Sequence, residues 1–435
     1  MNIEHPTSNT EHRSTGLSVA ALIGLLAVVG ASGGTAAPQS NQWLGGPSRS
    51  LTVAPSNFPP ATGSFEIREV WRKPAQGSFS GLSIHGDHAT TLTSAEGYDA
   101  VVLLDAHTGE ARWQYRLGRT RKRAEGVPLG PLSTPAIDEH AVYAQALDGR
   151  FVALSVKSGE LLWEANLKRQ FRAYEPGYGF ASSPLLLGNK IVIMPAGSSS
   201  ASVVALDCQT GEALWQTRLD SGAEYASATW LPGGAEGQIV AMLSGKLAAV
   251  SPQDGAVLWR REEEAGGLWT PSLVGAGRVF IPSAERSRLL ALDPGSPTLA
   301  RDVWESDVFA GAMGPVVASN GLLVGHHKRH LTGLDAATGS ELWRQPDETD
   351  GQLLGWGGLL LFVHDRMGEL QVLRVARSGP ELLQRAKVMK PVRMETPLSF
   401  GHDRVYIRSP EEIIALHIAP AAAAHEPTPT KAIAE

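Results

Sequence analysis

The sequence predicts an all-β fold, an eight-bladed β-propeller of four-stranded antiparallel blades whose ring is closed by the N-terminal strand joining the C-terminal blade. Two observations predict it. A segment that ends in tryptophan recurs at intervals of roughly 40 to 50 residues, which is the length of one propeller blade. Short apolar stretches lie between these segments, separated by turn formers, and the chain of 435 residues contains 47 glycines and 28 prolines. This composition fits a chain that reverses direction many times.

The first 37 residues are expected to form a signal peptide or an N-terminal anchor. Residues 17–31 are uncharged and apolar, but a run of about 15 residues is shorter than the ~20 that a membrane-spanning helix needs. Small residues follow at positions 32–37, as a signal peptidase prefers, so we expect export with cleavage near Ala36 or Ala37. An uncleaved anchor and a wrongly chosen start codon are the alternatives. No cysteine follows the apolar run, which excludes a lipid-modified N-terminus.

Two more segments flank the predicted propeller, which occupies residues 65–418. Residues 38–64 are rich in turn formers and proline, and they predict an extended, poorly structured lead-in. Residues 419–435 are rich in alanine, proline and threonine without apolar periodicity, and they predict a disordered tail. The propeller therefore makes up nearly all of the exported chain.

Each predicted blade carries the same turn followed by the same outer strand. One copy, from Leu103 to Trp113, is Leu-Leu-Asp-Ala-His-Thr-Gly-Glu-Ala-Arg-Trp. In the most decayed copy, Leu383 takes the place of the tryptophan, which brings the number of outer strands to eight. The repeat tryptophans are Trp71, Trp113, Trp163, Trp215, Trp259, Trp304 and Trp343. The repeat turns contain Asp105, Gly109, Gly159, Asp207, Gly211, Gly255, Asp293, Asp335 and Gly339.

Physical chemistry explains the residues of this unit. Aspartate opens the turn because its side chain hydrogen-bonds the backbone ahead of it, and glycine closes the turn because it tolerates the left-handed conformation. A large flat ring at the same place in every unit suits packing between neighbouring blades, where its burial contributes about 2–3 kcal/mol. Because the Asp-Thr-Gly turns recur at equal spacing, we interpret them as structural turns and not as catalytic motifs.

The remaining strands of each blade precede this unit. An apolar strand with small residues or proline near its start, such as Ser182-Ser-Pro-Leu-Leu-Leu, is predicted to be the innermost strand, where blades crowd the central channel. A second strand follows it. Residues 65–72 predict an isolated outer strand, whereas the last three strands of the chain lack one. If the N-terminal strand completes the last blade, the ring of eight blades has no free sheet edge.

These units resemble the PQQ-type (pyrroloquinoline-quinone-type) repeat, whose pattern is A-x-D-x-x-T-G-x-x-x-W. The resemblance covers residues 65–418, and its repetition makes it specific. Residues 43–49 also resemble a W-x-x-x-P-x-R lead-in that is common in exported bacterial proteins of this class. The copy that matches the pattern at every position contains Ala205, Asp207, Thr210, Gly211 and Trp215.

The resemblance implies one of two functional branches. Quinoprotein dehydrogenases bind PQQ and Ca²⁺ on the propeller axis, whereas non-catalytic propellers similar to BamB, an outer-membrane assembly lipoprotein, present loops and faces to protein partners. The dehydrogenases carry adjacent cysteines against the cofactor, but Cys208 is the only cysteine of this chain. No pair of Asp, Glu or Asn on the predicted inner strands suits Ca²⁺. We therefore expect no catalytic, cofactor-binding or metal-binding residue, and His326, His327 and His330 are disfavoured as a metal site because no carboxylate is near them.

The charge distribution supplies the best candidate for a binding site. The formal net charge of −6 argues against general nucleic-acid binding. Basic residues nevertheless cluster after the outer strands, which antiparallel order places on one face, where an acidic protein, an anionic glycan or a lipid surface would bind. The alternative is solvated loops that Glu262, Glu263 and Glu264 partly neutralise. The candidate partner face contains Arg116, Arg119, Arg121, Lys122, Arg123, Lys168, Arg169 and Arg172.

Taken together, these features favour a non-catalytic, monomeric scaffold of the periplasm or cell envelope that binds a protein or an anionic envelope partner through its loop faces. A PQQ-binding oxidoreductase or sensor is the first alternative, and a polysaccharide-binding accessory protein is the second. Contact with a membrane is expected only through an uncleaved N-terminal segment.

Overall fold

The propeller is described by a computed structural model. The described residues are 39–46, 48, 50–53, 64–121, 130–197, 201–232, 236–262, 272–275, 278–282, 287–293, 296–310, 314–346, 351–394 and 396–421. The expected signal or anchor segment, residues 1–37, lies outside them, and so do residues 422–435 of the expected tail. Among the helices described, none is long and apolar enough to cross a membrane.

The described strands form eight four-stranded antiparallel blades, which confirms the predicted β-propeller. In blades 1 to 7 the four strands follow one another along the chain from the inner to the outer strand. Blades 1 to 4 consist of Ser83–His85, His88–Ala95, Tyr98–Asp105, Ala111–Arg119; Ala136–Ile137, Ala141–Gln145, Arg150–Ser155, Leu161–Asn166; Leu185–Leu187, Lys190–Ile193, Val203–Asp207, Ala213–Thr217; and Thr229–Leu231, Gln238–Leu243, Lys246–Val250, Val257–Glu262. Blades 5 to 7 consist of Ser272–Gly275, Arg278–Ile281, Ser287–Asp293, Ser296–Ser306; Val317–Ser319, Leu322–His327, His330–Asp335, Glu341–Gln345; and Gly351–Trp356, Leu359–His364, Glu369–Ala376, Gly379–Lys387.

Blade 8 combines the two ends of the described chain. Its strands from inner to outer are Ser399–Gly401, Arg404–Arg408, Glu412–Pro420 and Phe65–Pro74. The outer strand pairs antiparallel with the strand before it, with Phe65 opposite Pro420. The last strand therefore continues two residues beyond position 418, into the segment that the sequence predicts as tail.

Arg408 ties blade 8 to blade 1. Its guanidinium is fully buried and donates hydrogen bonds to the backbone carbonyls of Ser78, Ser80 and Leu92. Burial lowers the pKa of Arg408 to about 9. The side chain therefore remains a cation at neutral pH, and backbone dipoles compensate its charge.

The repeat turns adopt the geometry that their residues favour. In blade 3, Asp207 Oδ1 accepts hydrogen bonds from the backbone N–H of Gln209 at 2.8 Å and of Thr210 at 2.9 Å. Gly211 follows with a φ of +73°, and its N–H donates to the carbonyl of Asp207. Asp105 holds the corresponding turn of blade 1 through the N–H groups of residues 107 and 108. The side chain thus replaces hydrogen-bond partners that a tight loop cannot supply.

The tryptophans link each blade to the next. Trp163 Nε1 in blade 2 donates to the carbonyl of Cys208 in blade 3 at 2.9 Å, and its ring covers Gly211 so closely that a Cβ there would lie 2.5 Å from it. Trp259 differs, since it donates to Gln238 of its own blade at 2.8 Å. In blade 5, the third and outer strands pair with Asp293 opposite Ser296. The remaining bonds of this kind are Trp71 to Ala106, Trp113 to Val156, Trp215 to Pro252, Trp304 to Ala336 and Trp343 to Ala376.

The hydrophobic core lies between blades. Between blades 1 and 2, for example, Leu92 and Val101 pack with Val142 and Val152, and all four side chains are fully buried. Apolar burial of this kind is the main favourable term in folding, so each blade depends on its neighbours for stability.

Residues 39–46 and 50–53, the described part of the predicted lead-in with residues 48 and 64, include side chains and a short strand that contact the inner strands. Ser40 bonds to the backbone of Phe400 in blade 8 and of Ile84 in blade 1. The Gln42 side chain pairs with the backbone of Leu186 in blade 3 through bonds of 3.1 and 2.8 Å. A short strand, Thr52–Val53, runs parallel to the inner strand of blade 7, and a 3₁₀ turn, Trp43–Gly45, precedes it. The inner strands have unpaired backbone groups towards the axis, and this segment supplies partners for them.

Candidate partner-binding face

The predicted basic residues occupy the blade 1–2 and blade 2–3 connections and the strands that lead into them. Arg116 and Arg119 lie within the outer strand of blade 1 and not in the loop after it. Lys168 and Arg169 belong to a short α-helix, Leu167–Gln170, that follows the outer strand of blade 2. Arg172 comes two residues after this helix with a φ of +52°. Lys122 and Arg123 fall outside the described residues.

Glu175 neutralises part of this charge. One of its carboxylate oxygens pairs with Arg121, and the other lies 2.6 Å from Lys168 Nζ, so it joins the two connections. The sequence had suggested Glu262–Glu264 for this role, but Glu262 lies in blade 4 opposite Lys246, and residues 263 and 264 are outside the described part. Within the part of the chain that the structure describes, Arg169 and Arg172 are exposed and form no ion pair.

The blade 2–3 connection is firmly anchored. Asn166 caps the helix by accepting a hydrogen bond from the N–H of Arg169 at 3.0 Å. Leu167, Phe171 and Phe180 are buried beneath it. Gly149 makes room for Phe180, because a Cβ at Gly149 would lie 2.8 Å from that ring. The loop therefore presents its outward side chains from a fixed base.

Exposed tyrosines cover this base. Tyr174 is 67% exposed and Tyr178 is 53% exposed. Tyr174 lies over Gly197 of blade 3, where a Cβ would come within 2.4 Å of its ring. Tyr178 packs against Tyr225 of the blade 3–4 connection, with ring centroids 5.9 Å apart and a bond of 3.2 Å from its N–H to the Tyr225 hydroxyl. We call Tyr174, Tyr178 and Tyr225, with Arg169 and Arg172 of the same connection, the tyrosine platform.

Sequence reasoning identified the arginines of the platform but not its tyrosines. The only signal is that two of the chain's seven tyrosines fall within five residues of each other, directly after the basic residues. Tyrosine and arginine are, with tryptophan, among the residues that most often dominate the binding energy of protein interfaces. This arrangement suits recognition of a protein surface and contains no nucleophile paired with a base.

Cys208 is a passive residue of the blade 2–3 interface. It is buried, and burial raises the pKa of its thiol to about 11. The Tyr143 hydroxyl lies 3.4 Å from its carbonyl, the same carbonyl that binds Trp163. A thiol that remains protonated at neutral pH is neither a good nucleophile nor a metal ligand.

The inner strands that the structure describes offer few side-chain ligands for Ca²⁺. Calcium takes six to eight oxygen ligands, and carboxylates supply most of the charge. The inner strands of the eight blades, as the structure describes them, contain no Asp, Glu or Asn. The amide of Gln352, on the inner strand of blade 7, already donates to the carbonyl of Met394 at 3.1 Å.

Comparison with known proteins identifies the family. The family model described as outer membrane protein assembly factor BamB matches residues 60–241 and again residues 243–423. The chain belongs to this family. The resemblance to PQQ-type repeat propellers is thereby confirmed, and the BamB family model covers both halves of the ring.

Individual relatives are distant from the BamB-family chain described here. The BamB of Yersinia pestis is 25% identical over 266 residues, which span 58% of this chain and 61% of that protein. The crystal structure of BamB from Moraxella catarrhalis superposes with a TM-score of 0.58 at 17% identity, covering 81% of this chain and 98% of that one. Quinohemoprotein alcohol dehydrogenase from Comamonas testosteroni gives a TM-score of 0.63 at 13% identity, covering 90% and 82% of the two chains. The structural likenesses show the fold alone, because both functional branches share it.

Proposed function

We propose that this BamB-family propeller is an exported, non-catalytic scaffold of the cell envelope that binds a protein partner through the tyrosine platform and acts in outer-membrane protein assembly. The assembly role comes from the name of the family and of its relatives. The tyrosine platform is the observation that supports the binding role. It combines exposed aromatic rings with two arginines, Arg169 and Arg172, that form no ion pair among the described residues.

The physical argument for the platform is energetic. Tyr174 and Tyr178 are held by contacts with Gly197 and Tyr225, so a partner that covers them immobilises little that is not already fixed. Arg169 and Arg172 are positive in a protein of net charge −6, which orients an approaching acidic surface towards this connection. We therefore expect the partner to bring carboxylates and apolar side chains to this place.

Complementation in the native host tests the proposal. Deletion of the gene should lower the amounts of outer-membrane proteins in isolated envelopes, as measured by quantitative mass spectrometry. The wild-type gene should restore them, whereas a Tyr174→Ala/Tyr178→Ala variant should not. The control is His140→Ala, an exposed residue in a hairpin of blade 2 away from the platform, which should restore them fully.

Two outcomes would contradict the proposal. Unchanged amounts of outer-membrane proteins after deletion of the gene would contradict the assembly role. Full restoration by the tyrosine variant, with wild-type melting temperature in purified form, would show that the partner binds elsewhere on the propeller.

The non-catalytic part of the proposal has its own test. Calorimetric titration of the chain from Gln39 onwards with PQQ in Ca²⁺ buffer should give no heat and no thermal stabilisation. The inner strands contain no Asp or Glu where the structure describes them, and the single thiol is buried. Tight one-to-one binding would instead support a quinoprotein and would redirect attention to the axial channel.

A further inference from the structure

Three hairpin turns bring two histidines and an aspartate together at the junction of blades 8 and 1. Asp87 lies between the inner and second strands of blade 1, and His107 lies in the repeat turn of the same blade. His402 lies between the inner and second strands of blade 8. One ligand atom from each residue falls within 4.8 Å of the others.

Local contacts orient these side chains. His107 Nε2 is 2.8 Å from Asp87 Oδ1, and the rings of His107 and His402 have centroids 5.2 Å apart. The other ring contact of His402 is to the carbonyl of Gly86, 2.9 Å from Nε2. An imidazole that donates Nε2–H to a backbone carbonyl keeps the lone pair of Nδ1 available for a metal ion. Metal-binding histidines are usually oriented by a hydrogen bond of this kind.

His402 has an unusual backbone conformation, and the other two residues are accessible to solvent. Its φ is +57°, in the left-handed region that most residues other than glycine and asparagine avoid. His107 and Asp87 are about half exposed, with side-chain exposures of 43% and 63%, so an ion has access from solvent. Three protein ligands leave a fourth position for water.

We propose that Asp87, His107 and His402 form a binding site for a divalent transition-metal ion, with Zn²⁺ as the ion that best fits two imidazoles and one carboxylate. Imidazole and carboxylate are ordinary Zn²⁺ ligands, whereas Mg²⁺ and Ca²⁺ require an all-oxygen set. The site is separate from the tyrosine platform, and it does not depend on the partner-binding role.

The position of the site gives it a structural consequence. Its ligands come from blade 1 and from blade 8, the blade that combines both ends of the described chain. A bound ion would link residues 87 and 107 to residue 402 across the ring closure. Metal binding that requires the closed ring must stabilise it, because the open chain does not hold the ligands together.

His140 provides an internal comparison. It lies in the equivalent hairpin of blade 2, and its Nε2 is 3.1 Å from Glu139 Oε1. No third metal ligand joins this pair among the residues that the structure describes. A histidine beside a carboxylate is thus common on this face, and the third ligand distinguishes the blade 8–1 junction.

The test is calorimetric titration of ZnCl₂ into the tag-free chain from Gln39 onwards, with MgCl₂ as the comparison ion. We expect one Zn²⁺ per chain and no Mg²⁺ binding. His107→Gln and His402→Asn should each weaken Zn²⁺ binding at least about tenfold. Asparagine is chosen at position 402 because it tolerates the left-handed backbone there. The matched control, His140→Gln, should bind Zn²⁺ as the wild type does.

Thermal unfolding gives a second readout. At about a hundred times the dissociation constant, Zn²⁺ should raise the melting temperature of the wild type by roughly 3 °C and leave that of His402→Asn unchanged. Absence of Zn²⁺ binding in the wild type would overturn the proposal. So would wild-type Zn²⁺ affinity in both His107→Gln and His402→Asn, or a loss of affinity in His140→Gln as large as in His107→Gln.

Discussion

At the scale of single residues, the repeat depends on a fit between one glycine and one ring. Gly211 has two separate reasons to lack a side chain, since its φ is +73° and the ring of Trp163 lies directly over it. Gly188, in the hairpin between the inner and second strands of blade 3, also has a positive φ of +60°, but no atom lies within 4 Å of the place its Cβ would take. The two glycines therefore separate backbone strain from packing.

Gly211→Ala should destabilise the propeller more than Gly188→Ala. The second change costs only the left-handed backbone strain, about 1 kcal/mol, whereas the first adds overpacking against Trp163 for a total of about 2–4 kcal/mol. Urea unfolding monitored by tryptophan fluorescence measures both free energies. Equal losses would show that the ring adapts freely and that the blade contact is not specific.

The lowered pKa of Asp105 predicts that the stability of the propeller depends on pH in the acid range. Burial favours its neutral form, but hydrogen bonds from Arg112 and from the backbone of Thr108 and His107 outweigh burial and hold the pKa of Asp105 at about 2. A carboxylate with a depressed pKa stabilises the folded state above its unfolded pKa of about 4 and loses that contribution as the pH falls towards 2.

The expected contribution of Asp105 above pH 4 is at most about 2 kcal/mol. Asp105→Asn should therefore be less stable than the wild type at pH 7, and the difference should shrink between about pH 4 and pH 2. Equilibrium urea unfolding at a series of pH values measures this. A difference that is constant over that range would assign the effect to the turn geometry and not to the charge.

At the scale of elements, the local patterns predict the blades but not what the segments between them touch. Each strand and turn of a blade is encoded within about a dozen residues, so the apolar alternation and the Asp-Thr-Gly turn were sufficient to predict them. Gln42 binds Leu186, which is 144 residues away, and no local pattern signals such a contact. The same limit hid the Glu175 pairs and the meeting of His107 with His402.

Gln42→Ala should lower the free energy of unfolding, although the sequence around Gln42 predicts a poorly structured lead-in. The side chain is buried and makes both hydrogen bonds of a strand partner with Leu186, so its removal leaves a buried N–H and carbonyl unsatisfied. We expect a loss of about 2–3 kcal/mol in urea unfolding. Gln39→Ala, which removes one bond to Gly86 at a less buried position, is the control and should cost at most about 1 kcal/mol.

At the scale of the whole molecule, blade 8 is where the two ends of the described chain meet. The strand Phe65–Pro74 covers the edge of Glu412–Pro420. Arg408 binds one carbonyl of blade 1 and two carbonyls of the segment that connects blade 8 to it. Apolar packing and hydrogen bonding thus cross the closure as they cross the other blade boundaries. The pairing of the N-terminal strand with the last strand is non-local, and the count of outer strands in the sequence predicted it.

Removal of the closing strand should expose an edge that pairs with other molecules. A chain that begins at residue 75 should form oligomers or aggregate, because Glu412–Pro420 would have unpaired N–H and carbonyl groups along its length. A chain that begins at Ser64 keeps the strand and should remain monomeric in light scattering. Monomeric behaviour of the shorter chain would show that blade 8 protects its edge without the N-terminal strand.

The tryptophan hydrogen bonds that cross between described blades all run in the same direction around the ring. Wherever one crosses a blade boundary in the described residues, the donor lies in one blade and the acceptor in the next, and Trp71 carries this order from blade 8 to blade 1. Because the tryptophan bond at the boundary of blades 8 and 1 runs in the same direction as the others, these bonds do not distinguish any blade as the first. The gene could thus be circularly permuted, with its old ends tethered and new ones opened between blades 3 and 4, while each of those bonds keeps its partner.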